Sequence, residues 1–290
     1  MNKSLTLSFL IVVATLSLSG CGKETVADKT PATQPSSMPS EKVPEQAEPV
    51  VAVAKAKGSA ESPSEVKSFG HGPWDALLKS YVSEDGPVRY KDWKANADDL
   101  KALDTYIEAL AGANIVAMSK PAQLAFYINA YNAYTIKAVL ERYPISSVMK
   151  VEGDFFKGFK HNVAGEEMTL DTLENVKIRE GFEEARIHFV VNCASVSCPK
   201  LMRDAITPEN MDALLESAAK AYILKETRLT ADNTAVSTSE IFKWFKGDFE
   251  KASGSVGAFL AERLEGKAAE LAKSGKVIHH PYDWALNEVK

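Results

Sequence analysis

Residues 125–140 read AFYINAYNAYTIKAVL, and a helix with that composition is apolar on nearly every side. Such a helix has no face to offer water, so the rest of the domain must be built around it. Ser119 is a good N-cap, Pro121 falls in the first turn, and Tyr143-Pro144 stops the pattern after Arg142, which makes this the longest helix of the chain. Asn129 and Asn132 interrupt the apolar run. Leaving a buried amide unpaired costs about 1–3 kcal/mol, so each needs a fixed partner. Two readings stand at this point: the amides pin neighbouring loop backbone, or they contact a substrate.

The N-terminus carries a compartment signal. Lys3 supplies a positive charge, Leu5 to Leu18 form an apolar stretch too short to span a bilayer comfortably, and Leu18-Ser19-Gly20-Cys21 follows. That run resembles a bacterial lipobox, with Cys21 lipidated and made the mature N-terminus. The expected organisation is a signal peptide over 1–20, a flexible tether over 21–68 and one globular domain over 69–290. The tether is rich in Pro, Ala, Ser, Glu, Lys and Val and has no aromatic residue. It cannot bury enough surface to offset chain entropy. Acyl chains on Cys21 make the membrane the expected partner. Gly22 in place of Asp points to the periplasmic face of an outer membrane. The net charge of −5 has no basic block behind it, which excludes nucleic acid as a partner.

Beyond the tether, Trp74, Leu77, Leu78 and Tyr81 recur at helical spacing, and a second helix is expected from about Ala95 to Ala111. Ser147 to Gly165 reads as a hairpin-like β segment, with Met168-Thr169-Leu170 beginning the return. Asp171 can cap a helix starting at Thr172, and Glu174 sits where a carboxylate can complete a capping box. Ile187 to Asn192 reads as a strand, Thr207-Pro208 opens another helix, and two short strands flank Ala231-Asp232-Asn233. The fold class is therefore α/β of the α+β type, with a helix-rich N-terminal part packed on a small, mainly antiparallel sheet.

Chemistry concentrates in His188 to Leu201, HFVVNCASVSCPKL. If Cys198-Pro199 opens a helix, the partial positive charge there stabilises thiolate and makes Cys198 a nucleophile. His188 would be its base and Glu174 the group orienting that base, provided the fold brings the three together. The Cys198 N–H with Asn192 or Asn129 would form the oxyanion hole. The same residues also permit a Cys193–Cys198 disulfide in an oxidising compartment, a redox pair, or a metal site with His188 or His161. No second clear ligand pair accompanies the two cysteines, so neither metal nor cofactor is assigned. Trp244, Tyr282 and Trp284, in SEIFKWFKGDF and HHPYDWALN, are candidate walls of a binding cleft.

Five segments occur in an order that resembles the DUF547 family: AFYINAYNAYTI, Leu170–Glu174 with Arg179, HFVVNCASVSCPKL, SEIFKWFKGDF and YDWALN. The resemblance spans roughly Trp74 to Asn287, with Tyr127 standing where the family often has Trp. It implies a distant, rearranged relative of papain-type cysteine hydrolases, with Glu174, His188 and Cys198 as the triad and a peptide or cell-envelope compound as substrate. The competing expectation is an envelope binding or scaffold protein that keeps the fold, an aromatic-lined cleft and a structural Cys193–Cys198 pair without catalysis.

Overall fold

The structure, a computed structural model, describes residues 68–290. The signal peptide, the lipidation of Cys21 and all but the last residue of the tether lie outside those residues. No helix among the described residues is long and apolar enough to cross a membrane.

Helix α4 (Lys120–Arg142) runs as its sequence requires, with the Ser119 hydroxyl capping the Ala122 N–H and buried side chains from Ala122 to Leu140. On one side lie α1 (Gly72–Tyr81), α2 (Tyr90–Ala95) and α3 (Ala97–Ala111). Asn96 ends α2 and caps α3 by accepting from the Asp98 and Asp99 N–H groups, which explains two helices where the sequence suggested one. Trp74 stacks on Tyr106 at 5.8 Å and Tyr81 on Trp93 at 4.5 Å, closing this side of the core. Such pairs add about 0.5–1.5 kcal/mol each beyond the area they bury.

The single turn α5 (Leu170–Thr172) follows the core helix, and on the other side α6 (Met211–Glu226), α7 (Ile241–Trp244), α8 (Lys246–Ser253), α9 (Val256–Ala261) and α10 (Gly266–Lys273) enclose Phe189, Phe242, Phe249 and Phe259. The strands form two small sheets instead of one. β1 (Lys160–Val163) and β2 (Glu166–Thr169) make a hairpin whose turn residues, Ala164 and Gly165, both have positive φ. That twist matches a two-residue hairpin. β4 (Val236–Ser239) pairs antiparallel with β3 (Arg228–Leu229) and parallel with β5 (Val277–His280). The class is α+β, as the sequence implied.

Two local expectations fail around the site. The span expected as a strand carries a 3₁₀ turn at Ala185–Phe189, where the Glu184 carboxylate caps the Arg186 N–H and the Val190 and Val191 N–H groups return to the Ile187 carbonyl. The apolar run is buried by α6 and the phenylalanines, so its hydrophobicity reflects packing and not pairing in a sheet. No helix begins at Cys198-Pro199 either; the next one starts at Met211. The Pro199 carbonyl is taken by the Asn192 amide at 2.7 Å, and the chain runs on to dock at Asn129.

Candidate functional site

Both asparagines of α4 hold loop backbone. Asn129 donates to the Ile206 carbonyl at 2.6 Å and accepts from the Ile206 N–H at 3.1 Å. Asn132, one turn on, donates to the Val190 carbonyl at 2.9 Å and accepts from the Asn192 N–H at 2.8 Å. Asn192 then donates to the Pro199 carbonyl and accepts from the Ala194 N–H and the Asn287 amide. This corrects the substrate-contact reading: all three amides clamp the two ends of the cysteine loop. The expected oxyanion hole is not formed, because the Cys198 N–H is spent on the Ser195 carbonyl and the amides on backbone.

Between the clamps the chain turns through Ala194, buried with φ of 60°. Cys193 and Cys198 are free thiols, so the disulfide is not formed in this structure. The Cys193 N–H donates to Cys198 Sγ at 3.0 Å. Cys198 is buried at 7% exposure, whereas Cys193 is half-buried. The Cys193 sulfur meets the Ser195 hydroxyl at 3.0 Å and the Tyr282 hydroxyl at 3.3 Å, and these two hydroxyls are 3.0 Å apart. The Ser195 hydroxyl donates to Tyr282, and the Tyr282 hydroxyl can then donate to sulfur, an interaction that strengthens when the sulfur is thiolate. Burial raises the Cys193 thiol, but hydrogen bonds from Cys198, Ser195 and Tyr282 outweigh it and hold the thiol below its ordinary value. Burial and the proton shared with Cys193 push Cys198 well up. The favoured thiolate is therefore Cys193, not Cys198. Without a helix start behind it, Cys198 lacks the charge expected to activate it.

His188 lies within the 3₁₀ turn, 2% exposed, with Nε2 2.7 Å from Asp248 Oδ2. Arg179 grips the same carboxylate through Nε at 2.8 Å and Nη2 at 3.1 Å. Phe245 lies against both side chains, stacked on His188 at 3.9 Å, with the Arg179 guanidinium 4.8 Å from its ring centre. Burial draws the imidazole below its usual value despite the carboxylate. His188 is thus neutral near pH 7, with its Nε2 proton fixed on Asp248. Its buried Nδ1 has no hydrogen-bond partner. Asp248, not Glu174, is the carboxylate that orients the ring, and neither sulfur is hydrogen-bonded to His188. The triad of Glu174, His188 and Cys198 is not assembled as one hydrogen-bonded chain.

Glu174 stands on a π-helical stretch, Leu173–Glu180, that also carries Arg179. Wide turns of this kind recur at functional sites. Thr169, not Asp171, caps the preceding turn, and the Glu174 carboxyl hydrogen-bonds Tyr131 instead of closing a capping box. Burial pushes its pKa up to about 7, against the pull of Tyr131 and Arg179. The unfolded chain ionises near 4.5, so the protonated carboxyl stabilises the fold fully below that pH, and the contribution is lost as pH rises toward 7. Glu174→Gln should therefore gain about 2–3 kcal/mol on wild type between pH 4.5 and pH 8, discounted for the side chain's partial exposure. Urea unfolding at both pH values measures the difference; parallel behaviour would show that this carboxyl does not hold its proton.

Trp244, Tyr282 and Trp284 form one half-buried aromatic group, with ring centres 4.7–5.7 Å apart, and Tyr282 joins it directly to the Cys193 sulfur. On the Cys198 side, a cavity of about 600 Å³ has Asn192, Cys198 and Tyr222 on its wall and Lys200 and Lys225 among its lining residues. Asp248, Ser195 and Tyr131 were not singled out from the sequence. Asp248 left a trace, as the lone carboxylate in the aromatic run KWFKGDF. Ser195 and Tyr131 left none, because small and aromatic residues are ordinary in a turn and a buried helix.

Fold and site together define an α+β domain whose core helix clamps a loop bearing two free thiols. Residues 115–223 match the family described as "Protein of unknown function, DUF547", the one that the five ordered segments resemble. The match takes in α4, Glu174, His188 and both cysteines, and ends before Asp248 and the aromatic group. No curated protein and no solved structure matches the chain.

Proposed function

We propose that the domain is a thiol-dependent hydrolase or acyl-transferase acting on a peptide or amide bond, with Cys193 in the place first given to Cys198. The observation that carries this reading is the Cys193 sulfur itself: half-buried, touched by the Ser195 and Tyr282 hydroxyls and held below its ordinary pKa. Thiolate is the nucleophilic form, and here hydrogen bonds favour it without an imidazole against the sulfur. Cys193 Sγ attacks the carbonyl carbon, the amide C–N bond breaks, and the leaving amine takes a proton. Glu174 is suited to supply that proton through Tyr131, since it holds one up to about pH 7. Water then attacks the acyl carbon, the acid leaves, its proton goes to solvent, and Cys193 thiolate is regenerated. The aromatic group beside Cys193 offers a wall for the substrate's apolar part. The lipobox-like Leu18–Cys21 run supports an anchored position in the cell envelope, where peptide substrates are available.

A thiol-directed acyl probe tests the reading. Wild type and Cys198→Ala should label at Cys193, Cys193→Ala should lose that labelling, and the rate should stay high below the ordinary thiol range. Equal labelling of wild type and Cys193→Ala outside Cys21 would remove the catalytic reading. The aromatic group favours a second reading, a non-catalytic binding domain. In that case Trp244→Ala and Trp284→Ala abolish function while Cys193→Ala preserves it.

A further inference from the structure

A hydrolase of this kind needs one sulfur, yet the loop holds two. Their positions are unequal. Cys193 is half-buried, whereas Cys198 is buried on the wall of the cavity and close enough for its sulfur to accept the Cys193 N–H at 3.0 Å. The Cys198 sulfur meets the Cys193 backbone, and the Ser195 and Tyr282 hydroxyls meet the Cys193 sulfur. Asn132 and Asn192 fix both ends of the loop, and the left-handed Ala194 turns the chain so that the side chains converge. An attacking sulfur favoured as thiolate, with a second, protonated sulfur on the same short loop, is the arrangement needed for exchange in two steps.

We propose that Cys193 and Cys198 are a dithiol pair that reduces disulfides brought to the Cys193 side of the loop. The proposal shares with the acyl-transfer reading the choice of Cys193 as the attacking sulfur. In the first step Cys193 thiolate attacks one sulfur of a substrate disulfide, a mixed disulfide forms, and the other substrate sulfur leaves as thiolate and takes a proton from solvent. In the second step Cys198 gives up its proton and attacks Cys193 Sγ, the mixed disulfide breaks, and the second substrate thiol is released. The substrate disulfide gains two electrons and two protons, and the chain is left with a Cys193–Cys198 bond. That bond closes a short loop, whose small entropic gain makes it readily reducible by an external dithiol. While it exists Cys193 cannot act as an acyl acceptor.

Oxidised glutathione is the probe. The reduced full chain is incubated with it at several ratios to reduced glutathione, quenched by alkylation, and mapped by peptide mass so that Cys21 is counted separately. Wild type should accumulate the Cys193–Cys198 bond with little stable adduct. Cys198→Ser should instead hold glutathione on Cys193, and Cys193→Ser should react at Cys198 at least about tenfold more slowly than wild type reacts at Cys193. A stable glutathione adduct on wild-type Cys193 with no internal bond, or attack at Cys198 first, would overturn the proposal. The wild-type measurement decides the matter even where a variant does not fold. Acyl-probe labelling of reduced Cys193 in a protein that never forms the bond would sink this proposal alone; bond formation without acyl labelling would sink only the hydrolase.

Discussion

Asp248→Ala is expected to lower the unfolding free energy by about 3–4 kcal/mol, because it leaves two groups without the partner they were buried with. The His188 imidazole is fully enclosed and has its Nε2 on that carboxylate, while its other nitrogen has no partner to fall back on. The Arg179 guanidinium loses both bonds of its fork and keeps its contacts with Asn175 and the Phe245 ring. Asp248→Asn keeps one acceptor without the charge and should fall between wild type and Ala. Arg179 and His188 favour the ionised carboxyl and hold Asp248 below the usual carboxylate range against its burial. Its contribution is therefore present above about pH 4 and is lost as pH falls through the folded value. His188 acts in the same direction: its imidazole is lowered, so below about pH 6.5 the unfolded chain takes up a proton that the folded chain refuses. Urea unfolding followed by tryptophan fluorescence from pH 3 to pH 8 reads both effects. A loss under about 1 kcal/mol for Asp248→Ala would mean that the pair behaves as an exposed one.

Asn132→Leu should cost about 2–4 kcal/mol although the shape is nearly kept, since it strands two buried backbone groups, the Val190 carbonyl and the Asn192 N–H. The effect should also be local. Those two bonds hold the entry to the thiol loop, and amide hydrogen exchange at Asn192 and Cys193 should speed up more than exchange in α3 or α9. Asn129→Leu strands both backbone groups of Ile206 and should loosen the exit of the loop instead. Uniform exchange across the domain in Asn132→Leu would show that the amide supports global stability and not the loop. Loosening should also separate the sulfurs, so Asn132→Leu is expected to form the Cys193–Cys198 bond more slowly than wild type.

Where the sequence is periodic or nearly uniform in hydrophobicity, it reads directly. The run Ala125–Leu140 required a central helix and obtained one, and Asn129 and Asn132 were recognisable as amides that needed partners. Of the glycine-punctuated segment expected as β from Ser147, only Lys160–Val163 became strand, in the β1–β2 hairpin, and Val148–Lys150 formed a 3₁₀ turn. By contrast, Phe189-Val190-Val191 looked like a strand because burial and β-pairing select the same residues. Cys198-Pro199 looked like a helix start because proline suits that position, yet Asn192, seven positions before the proline, claims its carbonyl.

By itself, then, the chain determined its α+β class, its core helix and the loop where its chemistry gathers, since each depends on composition or local order. Only the tertiary structure decided which sulfur favours thiolate, which carboxylate orients His188 and which partner Glu174 meets. Those depend on contacts across long stretches of chain: Asp248 lies 60 residues from His188, and Tyr282 lies 89 residues from Cys193. Burial and hydrogen bonding set the proton affinity of each group. Neither is written in the few residues around a cysteine, so the activated thiol passed from Cys198 to Cys193 once the neighbours were known.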